Sequence, residues 1–472
     1  MIRLLHAYIP KRTLLLGISE CCLISLALAA SVLVRLGMGE AGSMLMYEHG
    51  SLKILFVSIA FMICMYYFDL YDSSILSNRR EALIRLIQVL GVAYVALGLV
   101  YYLYPRVKLG RGIFNIGFLF VALLLLLWRK LFSILNNTPQ LAERVVILGE
   151  GALAEALVHE IESRPELGIR VAARARLLEG GGNPRTTTYR EHAAPLQSMA
   201  IPEGFALDHQ IRGIDRIVVA MEERRGKLPV DLLLSLKNRG VQVQDGNDVY
   251  ESITGKVPIQ TIRLGWLLFS PGCYASRLFS LYKRFASVVV SIIGLVLSVP
   301  LFPFIILAIK LSSPGQILYR QRRVGRDGAV FHCYKFRTMR SDAEADTGPT
   351  WAKDDDPRIT PVGSFLRKTR MDEIPQLWNV LMGEMSLVGP RPERPEFVEL
   401  LSEKIPYYHL RHSIRPGITG WAQICYKYGS SVEDAQEKLR YDLYYIKNMS
   451  VGLDFLIIFN TLKIILLGRG AK

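Results

Sequence analysis

Four apolar stretches crowd into the first 135 residues, at 13–34, 52–70, 83–103 and 113–131. Each approaches the roughly 20 residues a helix needs to cross the hydrocarbon of a bilayer. A chain that enters that medium must satisfy its own backbone, which leaves a helix bundle or a closed barrel. A four-helix transmembrane domain is therefore expected over 1–138. The first stretch is too long for a cleaved leader, lacks a small-residue cleavage site and is followed by further spans. Tyr66, Tyr67, Tyr71, Tyr101, Tyr102, Tyr104 and Trp128 sit near span ends, as interfacial anchors do. Arg3, Lys11 and Arg12, then Arg79 and Arg80, then Arg129 and Lys130 place the N-terminus and the segment after the fourth span in the cytoplasm. The segment 37–51 carries Glu40 and Glu48 and no basic residue, which suits the outside. Arg106, Lys108 and Arg111 run against this orientation.

Composition agrees: 472 residues at 51% hydrophobic with mean hydropathy +0.25 are too apolar for an ordinary soluble protein. A net charge of +15 points to anionic partners, either lipid headgroups or phosphates. No nucleic-acid partner is expected, because the basic residues form neither a tail nor a standard binding motif. The six cysteines show no Cys-x-x-Cys spacing, so reduced thiols and no zinc site are expected.

After 138 the composition turns soluble. Residues 144–148 read as a buried strand, followed by a turn at Gly149 and Gly151 and a helix to about 163. Strand, helix and strand recur at 217–220, 230–238 and 241–243, so a doubly wound Rossmann-like domain is expected over 139–265. Its glycine pattern is incomplete: Ala154 stands third, and no acidic residue ends a clear second strand. A degenerate module for association or regulation suits this better than a dinucleotide site. The stretch 179–184 reads as a loop.

A third domain, mainly helical, is expected over 266–472. Its first element, about 278–311, is long enough to span. A full crossing would put residues 312–472 on the face opposite the Rossmann-like domain. Pro300 and Pro303 interrupt it, each removing a backbone donor. A re-entrant helix that bends at Pro300 and returns to the same face reconciles these facts, with Ser298 a candidate to cap freed carbonyls. An ordinary kinked span is the alternative.

Beyond it lie Arg320, Arg322, Arg323, Arg326, Lys335 and Arg337, interleaved with aromatics. Lys335 and Arg337 alternate on one strand face and are the preferred active-site pair. The segment 367–392 sets the acid pair Asp372-Glu373 between Arg367, Lys368 and Arg370 and a Gly-Pro-Arg-Pro turn at 389–392. Carboxylates flanked by arginines suit a site that holds a diphosphate, binds a divalent cation and offers one oxygen as nucleophile. A surface helix start with solvated arginines is the plainer reading. The apolar run Ile374, Leu377, Trp378, Val380 and Leu381, spaced for a buried helix face, favours the functional one.

Five motifs in order, QRRVG at 321–325, YKFRTM at 334–339, DEIPQL at 372–377, MSLVGPRP at 385–392 and RPGITGWAQ at 415–423, resemble the bacterial sugar transferase family. These are monotopic polyprenyl-phosphate hexose-1-phosphate transferases of exopolysaccharide and O-antigen synthesis. The resemblance covers about 278–472; upstream, the architecture resembles long-form members, including those grouped with PEP-CTERM systems. It implies that Asp372, assisted by Glu373, attacks the sugar-linked phosphorus of a UDP-sugar and expels UMP. Undecaprenyl phosphate then takes the sugar phosphate from the aspartyl intermediate. It implies Mg2+ near Asp372 and Glu373, and phosphate or substrate binding by Lys335, Arg337, Arg367, Arg391, Arg415 and Gln423. It also implies a multi-pass protein of the bacterial inner membrane, with its catalytic domain on the cytoplasmic face. A homodimer is expected from the paired membrane and Rossmann-like domains. Two departures stand out: Arg370-Met371 replaces a Ser-Leu before the acid pair, and Val299-Pro300 replaces a Ser-Pro at the helix break, with Ser298 shifted by one. A scaffold or sensor for polysaccharide assembly and a membrane-anchored sugar-nucleotide dehydratase or epimerase are the alternatives. The latter lacks a Tyr-x-x-x-Lys pair in its Rossmann-like domain. The run 453–467 reads as an amphipathic surface helix.

Overall fold

The computed structural model describes residues 2–4, 7–47, 49–72, 75–76, 78–136, 138, 142–177, 197–201, 213–221, 228–259, 276–340, 343, 356–426, 429 and 431–467. The chain divides into two compact units, one essentially 8–249 and the other 250–472. The first unit begins with helices α1 (Lys11–Tyr47), α2 (Gly50–Tyr67), α3 (Arg79–Leu103) and α4 (Arg111–Asn136). All four are long and apolar enough to cross a membrane. They share one core that includes Leu28, Val57, Phe61, Val89 and Val121. The segment after residue 37, expected as a loop, is helical as far as Tyr47. Gly37 breaks the helix by adopting φ 75°, which a residue with a Cβ rarely takes, and the helix resumes beyond it.

The buried charge inside this bundle is matched. Glu20 is fully buried and pairs with Arg129 Nε at 2.7 Å, while Tyr71 donates its hydroxyl to the same carboxylate at 2.6 Å. Arg129 also donates to the Leu70 carbonyl. Three helix-borne or helix-flanking segments are thus tied at one point where an isolated charge would be costly.

A five-stranded parallel sheet follows in the order β5-β4-β3-β6-β7, after the short N-terminal strands β1 (Ile2–Leu4) and β2 (Ala7–Ile9). Its strands are β3 (Glu143–Leu148), β4 (Ile169–Leu177), β5 (Gln197–Ile201), β6 (Arg216–Val219) and β7 (Gln242–Asp245). Helices α5 (Ala152–Glu162), α6 (Val230–Asn238) and α7 (Gly246–Thr254) accompany it. A parallel sheet is the expected kind, whereas its strand order and the strands β4 and β5 were not foreseen. The expected loop at 179–184 lies outside the described residues. At the first βα turn a side chain at Gly149 would meet the Ala220 main chain at 2.8 Å, so the turn is closed against the neighbouring strand end.

The second unit opens on α8 (Arg277–Ser298), a 3-10 turn at Val299–Leu301 and α9 (Phe302–Ser312). Together they are again long and apolar enough to cross a membrane. Pro300 and Pro303 would deprive the carbonyls of Val296 and Val299 of their partners. The 3-10 turn hands Val296 O to the Val299 N–H and Val299 O to the Phe302 N–H. Ser298 Oγ donates to Gly294 O at 2.6 Å, a back-bond that bends helices. Both halves pack on the same unit: Arg284 of α8 donates to the carbonyls of Val380 and Leu381, and Ile305 and Ile309 of α9 join Phe336 and Leu366 in one core.

The remainder is a hairpin, β8 (Leu318–Val324) with β9 (Val330–Phe336), then α10 (Pro361–Lys368), α11 (Gln376–Met382), β10 (Ser386–Val388), α12 (Pro395–Lys404), β11 (Gly417–Thr419), α13 (Trp421–Cys425), α14 (Val432–Asn448) and α15 (Val451–Leu466). Strand β10 pairs in parallel with β11. Breaking the buried pair in the first unit tests its role. Arg129→Met leaves Glu20 without a counter-charge and is expected to cost about 3–5 kcal/mol, read as a lower unfolding temperature in detergent. The double variant Glu20→Gln/Arg129→Met removes both charges and is expected to recover most of that loss; equal damage from both would refute an electrostatic role.

Candidate active site

Arg370 ends the run from α10 with φ 58°, a left-handed conformation that few side chains tolerate, and so turns the chain sharply. The 3-10 turn Met371–Glu373 follows, and both carboxylates in it are buried, each 7% exposed. Burial of this kind must be balanced by charge, and the balance is uneven. Glu373 Oε1 accepts from Arg391 Nη2 at 2.6 Å and from Lys335 Nζ at 3.0 Å. Asp372 Oδ1 is buried with no hydrogen-bond partner.

The electrostatic consequences diverge. Burial pushes the Asp372 carboxyl above its ordinary range and the adjacent Glu373 charge pushes it further, against the pull of Lys335, Arg391 and Arg367. Burial acts upward on Glu373 too, but Arg391 and Lys335 overcome it and hold that carboxylate well below its usual range. Glu373 is thus a fixed, neutralised anion, and Asp372 is the less stabilised oxygen donor.

Three elements bring the cations in. Lys335 comes from β9, whose position is fixed by Asn379 of α11. Asn379 is fully buried, accepts from the Tyr334 N–H at 3.1 Å, and donates to the His332 carbonyl and to Glu384 at 2.7 Å each. Arg391 comes from the Gly-Pro-Arg-Pro turn after β10. Arg367 comes from the last turn of α10, where its Nε donates to Thr338 Oγ1 at 3.0 Å.

Other expected site residues are held elsewhere. Arg337 is 7% exposed and gives its terminal nitrogens to the carbonyls of Ser313 and Pro314, at 2.6 and 2.8 Å. Arg415 is exposed, and burial of part of its side chain together with nearby Arg284 and Arg326 lowers its pKa. Gln423 on α13 donates to Ile418 O at 3.2 Å. Pro300 lies in the 3-10 turn between α8 and α9. In the basic run, Arg323 donates to Pro392 O and pairs with Glu393, and Arg320 lies over the Tyr334 ring.

Helix α11 departs from the expected apolar face. Its buried residues are Gln376, Asn379 and Val380, whereas Trp378 is half exposed. The buried side must satisfy the backbone of β9, which calls for an amide. Asn379 was legible as a polar residue interrupting an apolar helical face, the signal of a buried hydrogen-bonding duty.

The chain matches known proteins over both units. A profile of bacterial sugar transferases matches residues 278–468, and a CoA-binding domain profile matches residues 66–243. A UDP-glucose:undecaprenyl-phosphate glucose-1-phosphate transferase of Escherichia coli is 45% identical over 338 residues, 69% of this chain and 68% of that protein. The protein of the same description from Xanthomonas campestris is 30% identical over 331 residues, 67% of this chain and 65% of its own. A UDP-N-acetylgalactosamine-undecaprenyl-phosphate N-acetylgalactosaminephosphotransferase of Aeromonas hydrophila is 43% identical over 227 residues, 48% of this chain and 52% of that protein. The chain therefore spans between about half and two thirds of the length of these relatives.

The Asn379 arrangement generates its own test. Asn379→Leu strands the Tyr334 N–H and the His332 carbonyl in a buried place and is expected to cost about 3 kcal/mol. Trp378→Phe, on the exposed side of the same helix, is expected to stay within about 0.5 kcal/mol of the parent. Thermal unfolding of the two variants checks this, and equal stability would remove Asn379 as the pin of β9.

Proposed function

Because the chain belongs to the bacterial sugar transferase family, we propose that it transfers a hexose 1-phosphate from a UDP-sugar to undecaprenyl phosphate, an initiating step of exopolysaccharide or O-antigen synthesis. The observation that carries this reading is the asymmetric acid pair: a buried Asp372 oxygen without a partner beside a Glu373 already neutralised by Arg391 and Lys335. The named substrates of the relatives support the donor and acceptor classes.

In the proposed reaction an Asp372 carboxylate oxygen forms a bond to the sugar-bearing phosphorus while the bond from that phosphorus to the bridging oxygen breaks, releasing UMP. A terminal oxygen of undecaprenyl phosphate then attacks the same phosphorus, and the Asp372 carboxylate leaves with its electron pair. Splitting the transfer lets a soluble donor and a lipid acceptor use one site in turn. Asp372 Oδ1 has no protein hydrogen bond to give up when it bonds to phosphorus. In this reading Arg391, Lys335 and Arg367 would counter charge on the equatorial phosphoryl oxygens.

Asp372 and Glu373 fit a magnesium ion, which takes one or two protein carboxylates and completes its shell with substrate phosphate and water. The orphaned Asp372 Oδ1 is the observation that favours it; among the described residues no cluster of three metal-ligating side chains competes for this role. When bound, the ion would neutralise the diphosphate.

We further infer that α8 and α9 form a re-entrant hairpin that enters the membrane, bends at Pro300 and returns to the same face. Its support is that both halves anchor on the unit that carries Asp372, through Arg284 on one side of the turn and Ile305 and Ile309 on the other. The first four helices would then cross the inner membrane, with the acid pair on the cytoplasmic face where UDP-sugars are supplied.

Purified protein in nanodiscs with undecaprenyl phosphate and magnesium, offered a panel of UDP-sugars, is expected to release UMP with one or a few of them. Asp372→Asn is expected to lower that release by at least about 10³-fold, as loss of a covalent nucleophile does. Removal of magnesium with chelator is expected to abolish it reversibly. Full activity in Asp372→Asn would sink the nucleophile assignment.

A further inference from the structure

The turn that carries Arg391 has an unusual problem of support. Pro390 and Pro392 supply no N–H, so the segment cannot hold itself through a ladder. Instead its four successive carbonyls are each taken by a donor from elsewhere. Pro390 O accepts from the Gly417 N–H at 2.9 Å, Arg391 O from Arg411 Nη2 at 3.0 Å, Pro392 O from Arg323 Nη1 at 2.8 Å and Glu393 O from the Val324 N–H at 2.9 Å. Arg411 is the deepest of these donors. It is 6% exposed, lies in the 3-10 segment Tyr408–Ser413, donates its other terminal nitrogen to the Tyr408 hydroxyl, and sits 3.0 Å from the Asp442 carboxylate of α14. Asp442 is itself 2% exposed.

Stability is a weak account of this pair. A buried guanidinium and carboxylate typically contribute no more than apolar residues of the same volume would. What an apolar pair could not do is donate to Arg391 O. That bond fixes the Cα from which the Arg391 side chain reaches Glu373. An arginine with several free torsions needs such an origin to keep its guanidinium in place.

We propose that Arg411, ion-paired with Asp442, is a positioning residue for Arg391 and so sets the charge on Glu373 beside Asp372. It touches no substrate. The proposal rests on the transferase reading for its catalytic consequence, though not for its structural content.

The test uses the full chain and a background, Arg411→Met/Asp442→Leu, that removes the buried pair without leaving a lone charge. The first readout needs no turnover: the coupling between Arg391 and Glu373 in thermal unfolding, from Arg391→Met, Glu373→Gln and their combination. It is expected to be present in the parent and lost in the background, whereas a coupling of equal size in both overturns the proposal. The second readout is UMP release. The background is expected to lose on the order of 10- to 100-fold in kcat/KM, the scale of a misplaced charge-assisted contact, and adding Arg391→Met is expected to cost little more. Parental kcat/KM in a background that folds also overturns it. Lost coupling together with no UMP release from the parent on any donor would uphold the positioning role and sink the transferase reading instead.

Discussion

Two carboxylates side by side in a buried turn repel each other, and the second unit is arranged around settling that repulsion on one of them. Like unit charges 4 Å apart cost about 4 kcal/mol at an effective dielectric near 20. Arg391 and Lys335 both direct their charge at Glu373. Asp372 keeps a buried oxygen with no hydrogen bond. An unsatisfied buried carboxylate is tolerated where something else completes it. The rest of the unit brings the cations to one side of the pair: β9 pinned by Asn379, the proline-rich turn held by its carbonyls, and α10 closed by Arg370 in a left-handed conformation.

The apolar helix pair α8 and α9, long and apolar enough to enter a membrane, obeys the same requirement on polar groups. Each proline orphans one carbonyl, and a single 3-10 turn re-satisfies both with main-chain donors. A bend can therefore sit at apolar depth without exposing backbone, which is the condition for non-helical geometry in a membrane. At the edge of the pair, Lys283 of α8 bonds Tyr445 and Asp454, so the helix is moored to α14 and α15 by a charged contact as well as to α11 by Arg284.

The sequence revealed the apolar helices, the parallel sheet and the acid pair, because each carries a local signature: length of apolar run, alternation with turn residues, adjacency of charges. Strand β4 escaped, since Ile169–Leu177 carries three arginines and does not read as a buried run. Within the site, Asp372, Glu373, Lys335 and Arg391 are separated by up to 56 positions in the chain, and only the family motifs linked them beforehand. Which of the two acids the cations neutralise was not legible from residue type. It is decided by the backbone of β9 and of the turn at 389–392. Arg411 and Asp442 were missed for the same reason: an arginine whose target is a main-chain carbonyl leaves no pattern in a one-dimensional string.

The net charge of +15 accordingly has two physical meanings. Read from composition, it speaks of anionic partners. In the fold, several of the arginines closest to the site serve the chain itself: Arg284 binds the carbonyls of Val380 and Leu381, Arg323 that of Pro392, Arg337 those of Ser313 and Pro314, and Arg411 that of Arg391. A guanidinium is suited to this, since its planar fork carries several donors in fixed geometry and stays charged when buried. Turns rich in proline and helix ends both leave carbonyls without partners, and this unit meets them with arginine side chains. The cations that act on the carboxylates are Lys335, Arg391, Arg367 and Arg370, and the placement of Arg391 depends on the others. Excess positive charge near such a site is thus partly scaffold. A substitution of a scaffold arginine would act on the site through the position of Arg391 or Lys335 rather than through lost contact with a phosphate.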